Sequence, residues 1–266
     1  SKQQQIHNLI VEASKLRVEA NRLLKEGIQY FEELEIDYTY GNSITGSISI
    51  NRIDSNYKRF DSLYSIVSEK VENSINEHKL DSVEIGSQTS GIFIGPRSKR
   101  NYVKNGVPFL TTSAMQKANP TKADRHMTKS SAEDFQVKEG WILTTRSGTL
   151  GDTSYVLPCI NNYAVSEDAI RIVLRENSVM SKEYLYAFLK SKIGKSSLLS
   201  GSYGSVIQHL NESYIGDIEV PILEENIVET INQKVKTHIS SFNEAILKEN
   251  QAINLIESEI ESWQTS

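Results

Sequence analysis

Isoleucine recurs every seven residues near the C-terminal end of this chain, at Ile239, Ile246, Ile253 and Ile260. Val228, Val235, Phe242, Ile256 and Trp263 lie on a second seven-residue series that only Glu249 interrupts. Near the N-terminal end Leu9, Leu16, Leu23 and Tyr30 form one such series, with Ala13, Ala20 and Leu34 on another. A seven-residue apolar repeat puts its members on one narrow stripe of a helix, which needs a second helix to cover it. The spacing predicts helices over about 4–34 and 223–263. An uncovered row of isoleucines would be a liability, so each seam needs a partner. Ala13, Ala20 and Gly27 offer close-approach positions to bulky residues. The two helices are therefore expected to pack antiparallel, within one chain or between two chains of a symmetric dimer. Their expected interface is Leu9, Leu16, Leu23, Ile239, Ile246, Ile253 and Ile260. At the standard rise a helix of about 40 residues reaches about 60 Å, a rod long enough to act as a ruler.

Charge separates the middle from the ends. Residues 85–222 hold 16 Lys+Arg against 12 Asp+Glu, a net of +4, so the remainder carries −9 of the chain's total of −5. Between Ile94 and Lys129 the only acid is Asp124, against Arg97, Lys99, Arg100, Lys104, Lys117, Lys122, Arg125 and Lys129. A local excess of this kind suits a phosphate backbone, and a solvated lysine-rich loop is the plain alternative.

The pattern divides the 266 residues into an N-terminal helix over 1–36, a linker and amphipathic helix over 37–83, a mixed α/β domain over 84–222 and a C-terminal helix over 223–266. The fold class expected is α+β, with the terminal helices forming an antiparallel, coiled-coil-like spacer. Tyr38–Asn51 reads as an irregular segment rich in Gly, Ser and Thr. Tyr57, Phe60, Leu63, Val67, Val71 and Ile75 step at helical intervals. Strands are expected at Gly91–Ile94, Val107–Thr112, Trp141–Thr145, Thr153–Leu157, Ala169–Leu174 and Ile215–Val220, the last closed by Pro221. Ser181 is the expected cap of a helix ending near Gly194. No apolar run approaches the ~20 residues of a membrane span, and one cysteine, Cys159, fits a reducing compartment, so a cytoplasmic location is expected. Because the chain begins at Ser1, a processed or truncated piece of something longer is also expected.

Catalytic patterns are missing. There is no GxGxxG, GxxxxGK[ST], GxSxG or CxxC, and Asn119-Pro120 continues as Thr121-Lys122 instead of the Pro-aromatic pair that amino-methyltransferases place over a flipped base. His7, His78, His126, His209 and His238 are scattered and share no metal spacing with Cys159. Asp61 with Glu77-His78-Lys79 resembles pieces of a nuclease site, but the residues between them have helical spacing, which makes them a solvated helix face.

Donor-rich loops follow the strands of the basic block. Thr111, Thr112 and Gln116 follow one strand. Arg146 and Ser147 open the Gly-rich run to Gly151, and Tyr203, Ser205, Gln208 and His209 form a third loop. Arginine pairs bidentately with guanine, glutamine with adenine, and hydroxyls reach bases or phosphates. The candidate DNA contacts are these residues with Arg97, Lys99, Arg100, Tyr102, Lys104, Lys117 and Arg125. Among them Arg97, Lys99, Arg100 and Lys104 suit phosphates, and Arg146 and Gln116 suit base edges.

The order Gly106-Val107-Pro108-Phe109-Leu110, then Gly140-Trp141-Ile142-Leu143-Thr144-Thr145-Arg146-Ser147-Gly148-Thr149-Leu150-Gly151, then Gly204-Ser205-Val206-Ile207-Gln208-His209-Leu210, then Ile218–Leu223 leading into a heptad helix, resembles the specificity subunit of type I restriction-modification systems. The resemblance implies a non-catalytic subunit that directs partners to a bipartite site in double-stranded DNA, with recognition domains held apart by paired antiparallel helices. It implies methyltransferase subunits that carry S-adenosylmethionine, ATP-dependent restriction/translocase subunits that use magnesium, and no cofactor or metal in this chain. With one recognition domain and a helix at each end, the chain is either a half-subunit that dimerises through its terminal helices or one half of a longer subunit. A coiled-coil adaptor without specific DNA binding and the recognition end of a fused restriction-methylation enzyme remain alternatives.

Overall fold

The structure is a computed structural model that describes residues 1–34, 62–123, 125–203 and 208–264. The expected irregular segment over 38–51, the apolar positions Tyr57 and Phe60, Asp61 and the candidate contact Ser205 lie outside the described residues.

Helix α1 (Lys2–Glu32) opens on Ser1, whose hydroxyl accepts from the Gln4 amide at 3.4 Å. Helix α9 (Glu225–Gln264) runs back along it. The register is antiparallel: Lys2 pairs with Glu259, Glu12 with Lys248 at 2.8 Å, Arg17 with Glu249 at 2.6 Å and Glu26 with Lys234 at 2.6 Å. Glu249, which breaks the apolar series, thus has an ionic partner across the seam. Such surface pairs fix register more than they add stability.

The small residues make the close contact. Ala13, Ala20, Gly27 and Phe31 are the buried positions of α1, against Ile231, Val235, Ala245, Ile246 and Ala252 on α9. A Cβ on Gly27 would lie 3.2 Å from Val235 Cγ2, and His238 reaches the Ala20 carbonyl at 2.8 Å through Nδ1. Leu9, Leu16 and Leu23 flank this stripe, half-buried. Ile239 is buried and Ile253 half-buried, but Ile260 is 44% exposed, so the seam opens toward the end of α9.

Between the two helices in chain order come helix α2 (Ser62–Glu77), strand β1 (Asp81–Glu84), helix α3 (Ile85–Gln88) and strands β2 (Thr89–Ile94), β3 (Tyr102–Val103) and β4 (Val107–Leu110). Helix α4 (Thr112–Met115), strand β5 (Arg125–Met127), helix α5 (Lys129–Ala132) and strands β6 (Ile142–Thr145), β7 (Thr153–Tyr155), β8 (Ala164–Val165) and β9 (Ala169–Leu174) follow. Helices α6 (Lys182–Lys190), α7 (Lys192–Ser200) and α8 (Glu212–Gly216) and strand β10 (Glu219–Ile222) complete the domain. The strands form an antiparallel sheet β2-β9-β6-β7, a mixed sheet β3-β5-β4-β8 and the pair β1-β10.

The main core continues from the first sheet through α6 into the base of the spacer. Phe31 packs edge-on against Tyr184 at 5.1 Å and Phe188 at 5.6 Å, and the Glu32 carboxylate accepts from the Lys192 amide at 2.7 Å. The domain is therefore fused to its rod through buried aromatic surface. Further along α9, Asn243 Oδ1 accepts from the Cys159 amide at 2.9 Å, and Asn119 donates to Asn250 at 3.0 Å.

Three local expectations need correction. The strand expected over Val107–Thr112 ends at Leu110, because the Thr111 hydroxyl accepts from the Ala114 amide and makes Thr112 the first residue of α4. Gly194 does not end α6. The helix stops at Ser191, whose hydroxyl accepts from the Gly194 amide at 3.2 Å and starts α7, with Gly194 so close that a Cβ would lie 2.0 Å from the Phe188 carbonyl oxygen. Nor is Ile215–Val220 one strand. Asn211 caps α8 by accepting from the Ser213 amide at 2.8 Å, so Ile215 is helical and the strand begins at Glu219. Pro221 lies inside β10 opposite Ser82. A two-stranded ribbon leaves each strand one unpaired edge, where a missing N–H costs nothing.

Candidate nucleic-acid interface

Arg146 and Ser147 follow β6 directly. Gly148 and Gly151 adopt φ of +86° and +73°, conformations that side-chain-bearing residues avoid, and they let the chain turn tightly back into β7. The Arg146 amide donates to the Asp168 carbonyl at 2.7 Å, and the Ser147 hydroxyl donates to Asp168 Oδ1 at 3.0 Å. The third loop joins here: the Leu210 amide donates to the Arg146 carbonyl at 3.0 Å, and Tyr203 and His209 exchange backbone bonds of 3.0 and 2.8 Å. Their rings lie 5.9 Å apart, and Arg146 Nη2 is 3.4 Å from the Tyr203 hydroxyl.

Four of the residues singled out in the sequence, Arg146, Ser147, Tyr203 and His209, thus form one cluster. Arg146 Nε and His209 Nδ1 are buried without a hydrogen-bond partner among the described residues. An orphaned buried polar atom costs about 1–3 kcal/mol. Tyr203 stays 43% exposed beside them.

A second cluster lies on the mixed sheet. Arg100 forms an ion pair with Glu167 and sits 5.1 Å over the Phe109 ring, while Arg125 lies 5.2 Å over Tyr102. Tyr102 meets Phe109 edge-on at 5.8 Å. Burial opposes ionisation of the Tyr102 phenol, but hydrogen bonds and charge from Arg100 and Arg125 outweigh it and hold its pKa below the ordinary phenol value. Arg97, Lys99 and Lys104 are exposed around this cluster in sequence, and Gln208 is exposed near the first.

The remaining candidates lie elsewhere. Thr111 accepts from the Ala114 amide at 3.2 Å as the cap of α4, and Thr112 is half-buried in its first turn. Gln116 and Lys117 line a cavity of about 250 Å³ where α1 and α9 meet the domain, alongside Lys190 and His238. Sequence reasoning missed Glu167 and Asp168, which hold the two clusters. In a basic block two adjacent acids read as an ordinary turn, and only the fold shows what each one faces. Among the described residues no group of three His, Cys, Asp or Glu side chains could hold a metal ion, and no helix is long and apolar enough to cross a membrane.

No curated protein matches this sequence. Solved structures do. The chain is 15% identical to the S subunit of the type I restriction-modification system from M. genitalium, with 57% of this chain and 37% of that one covered and a TM-score of 0.43. It is 12% identical to the HsdS subunit from Thermoanaerobacter tengcongensis, with 94% and 56% covered and a TM-score of 0.44. A chain from a study of complex assembly and conformational transition of the type I R-M system gives 14% identity, 96% and 55% coverage and a TM-score of 0.45. The chain spans about half the length of the last two. The family model for the type I restriction modification DNA specificity domain matches residues 95–258, more than half of the chain, and takes in both clusters and most of α9. The chain belongs to the type I restriction modification DNA specificity domain family.

Proposed function

We propose that this chain reads one half of a bipartite sequence in double-stranded DNA and presents it to the enzymes of a type I restriction-modification assembly. It is the non-catalytic member. Methyltransferase subunits supply S-adenosylmethionine and the chemistry, restriction/translocase subunits supply ATP-dependent cleavage with magnesium, and no cofactor resides in this chain. The observation that carries the reading is the coincidence of the specificity-domain match over residues 95–258 with a cluster that brings Arg146, Ser147, Tyr203 and His209 together at a strand end of the basic block. Arg146 and His209 are suited to base edges, and the guanidinium and aromatic groups around Tyr102 to backbone and sugar.

The test is binding of the full chain to random-sequence duplex DNA at two salt concentrations, followed by selection of preferred sequences. Phosphate contacts give log affinity that falls linearly with log salt, with a slope of about −0.9 per contact. A steep slope with a selected consensus is the expected result. No affinity for duplex DNA at low salt defeats the proposal and favours a coiled-coil adaptor.

A further inference from the structure

Arg171 is the largest fully buried side chain among the described residues, where it makes no hydrogen bond or ion pair to a carboxylate, although the Glu167 charge lies near enough to favour its ionised form. Its guanidinium donates to main-chain carbonyls only: Nη1 to Ser166 at 3.0 Å and Ala169 at 2.6 Å, Nη2 to Val165 at 2.7 Å and, at the limit of 3.5 Å, Phe135. A buried guanidinium is costly to desolvate, and an apolar residue would fill the same space more cheaply. What the arginine adds is a rigid fork of donors. That fork grips the backbone where the chain passes from β8 in the mixed sheet to β9 in the antiparallel sheet. Room for it is made at Gly95, where a Cβ would lie 2.8 Å from Nη2.

The gripped turn holds both clusters. Glu167 takes the ion pair from Arg100, and Asp168 takes the Arg146 amide through its carbonyl and the Ser147 hydroxyl through its carboxylate. The turn is also braced from within, since the Asp168 amide donates to the Ser166 hydroxyl at 3.3 Å. We infer that Arg171 is a positioning residue that fixes the spacing and orientation of the two DNA-reading clusters through the Ser166–Asp168 turn, and so sets sequence preference without touching DNA. This rests on the proposal that the clusters read DNA. A cluster displaced by a fraction of an ångström keeps its charge, and therefore its affinity for phosphate, but loses alignment with base edges.

The experiment compares the full-length wild type, Arg171→Lys, and the double variant Glu167→Gln with Asp168→Asn. For each, affinity is measured for the selected duplex and for a scrambled duplex, well below the melting temperature. Lysine keeps the charge but not the fork. The double variant keeps Arg171 and its carbonyl contacts while weakening the links from the turn to Arg100 and Ser147. Arg171→Lys is expected to retain affinity for the scrambled duplex within about twofold, while the double variant, which removes two negative charges, gains affinity for both duplexes; in each the ratio that measures preference for the selected duplex falls about tenfold or more, the size of a good base contact. Added to Arg146→Ala, Arg171→Lys should cost less than it does alone, because both act on the same contact. A structural role alone lowers the melting temperature and leaves the preference intact; that outcome overturns the inference. If Arg171→Lys does not fold, the double variant decides by the same ratio. Failure of the underlying reading looks different, since the wild type itself would then show no preference between the two duplexes.

Discussion

Arg146 stands at the junction of β6 and the turn built by Gly148 and Gly151. Its sequence context, a donor at a strand end followed by glycines, marks a turn that presents a side chain, and the structure leaves its Nε without a partner among the described residues. Arg146→Ala should remove about 1–3 kcal/mol of binding to the preferred duplex and relax one base position. Lys99→Ala, at an exposed position, should weaken all sequences alike and reduce the salt slope by about one contact. Equal loss on every sequence for Arg146→Ala, measured by selection from random duplexes, contradicts the assignment. Cys159 gives a second residue-scale expectation. Burial pushes its thiol up to about 11, so little thiolate exists at neutral pH. Iodoacetamide should modify the native protein far more slowly than the urea-unfolded chain, and equal rates would show the thiol to be open. These candidates were legible because exposed donors follow simple rules of composition. Arg171, Glu167 and Asp168 were not, because a buried arginine in a strand and two acids in a turn acquire meaning only from neighbours distant in sequence.

At the scale of elements, periodicity was reliable where one pattern ran for many turns and weaker where two local rules competed. The heptads mark α1 and α9 to within a few residues, and Ala169–Leu174 appears as expected. At Ile215 a run of β-branched residues competes with Asn211, whose side chain satisfies two helix-start amides, and the cap wins. Which of the two N-terminal series faces α9 most closely was also hidden. Leucines dominate the pattern, but the smaller residues win because they let the backbones approach. That approach buries His238, which is stacked on Tyr186 with Nδ1 on the Ala20 carbonyl. Burial lowers its pKa below 6.5, against the hydrogen bond to Ala20 and assisted by the nearby charge of Lys190. The folded chain therefore favours neutral His238, and the unfolded chain binds the proton first as pH falls. This contribution to stability is complete above pH 6.5 and declines as pH drops through 6.5 toward the lower folded value. Melting temperature should fall between pH 7.5 and about 5.5, and His238→Gln, which keeps an amide donor for Ala20, should flatten that fall. An unchanged pH profile in the variant would place the sensitivity elsewhere. Gly201→Ala should be severely destabilising for a different reason, since the added Cβ would lie 1.8 Å from the Tyr214 ring. A melting temperature close to wild type would mean that the ring can move aside.

At the scale of the whole molecule, the question is what the rod contributes beyond cohesion. The domain grips α9 as far along as Asn250, through Asn119 and Thr121, while the helices continue past it to the Lys2–Glu259 pair. Among the described residues, only that distal stretch can change length without pulling on the domain. A lengthened rod must also keep its seam, so an insertion has to add a whole heptad to both helices, about 10 Å at the standard rise. Opposed positions follow from the ion pairs of Glu12 with Lys248 and Lys2 with Glu259, which set Asn8 roughly across from Ala252. Seven residues inserted between His7 and Asn8, with seven between Ala252 and Ile253, meet both requirements. If the rod holds two recognition domains apart along DNA, the unread gap between half-sites should grow by about three base pairs at ~3.4 Å each, with both half-sites unchanged. Methylation mapping in cells carrying the chain, a second recognition domain and the methyltransferase reads the gap directly. The same heptad inserted in α9 alone leaves α1 without a matching turn, so it should disrupt the pair and not lengthen the gap. A gap that stays fixed in the paired insertion, while methylation persists, would mean that the separation is set by the partner subunits and not by this rod.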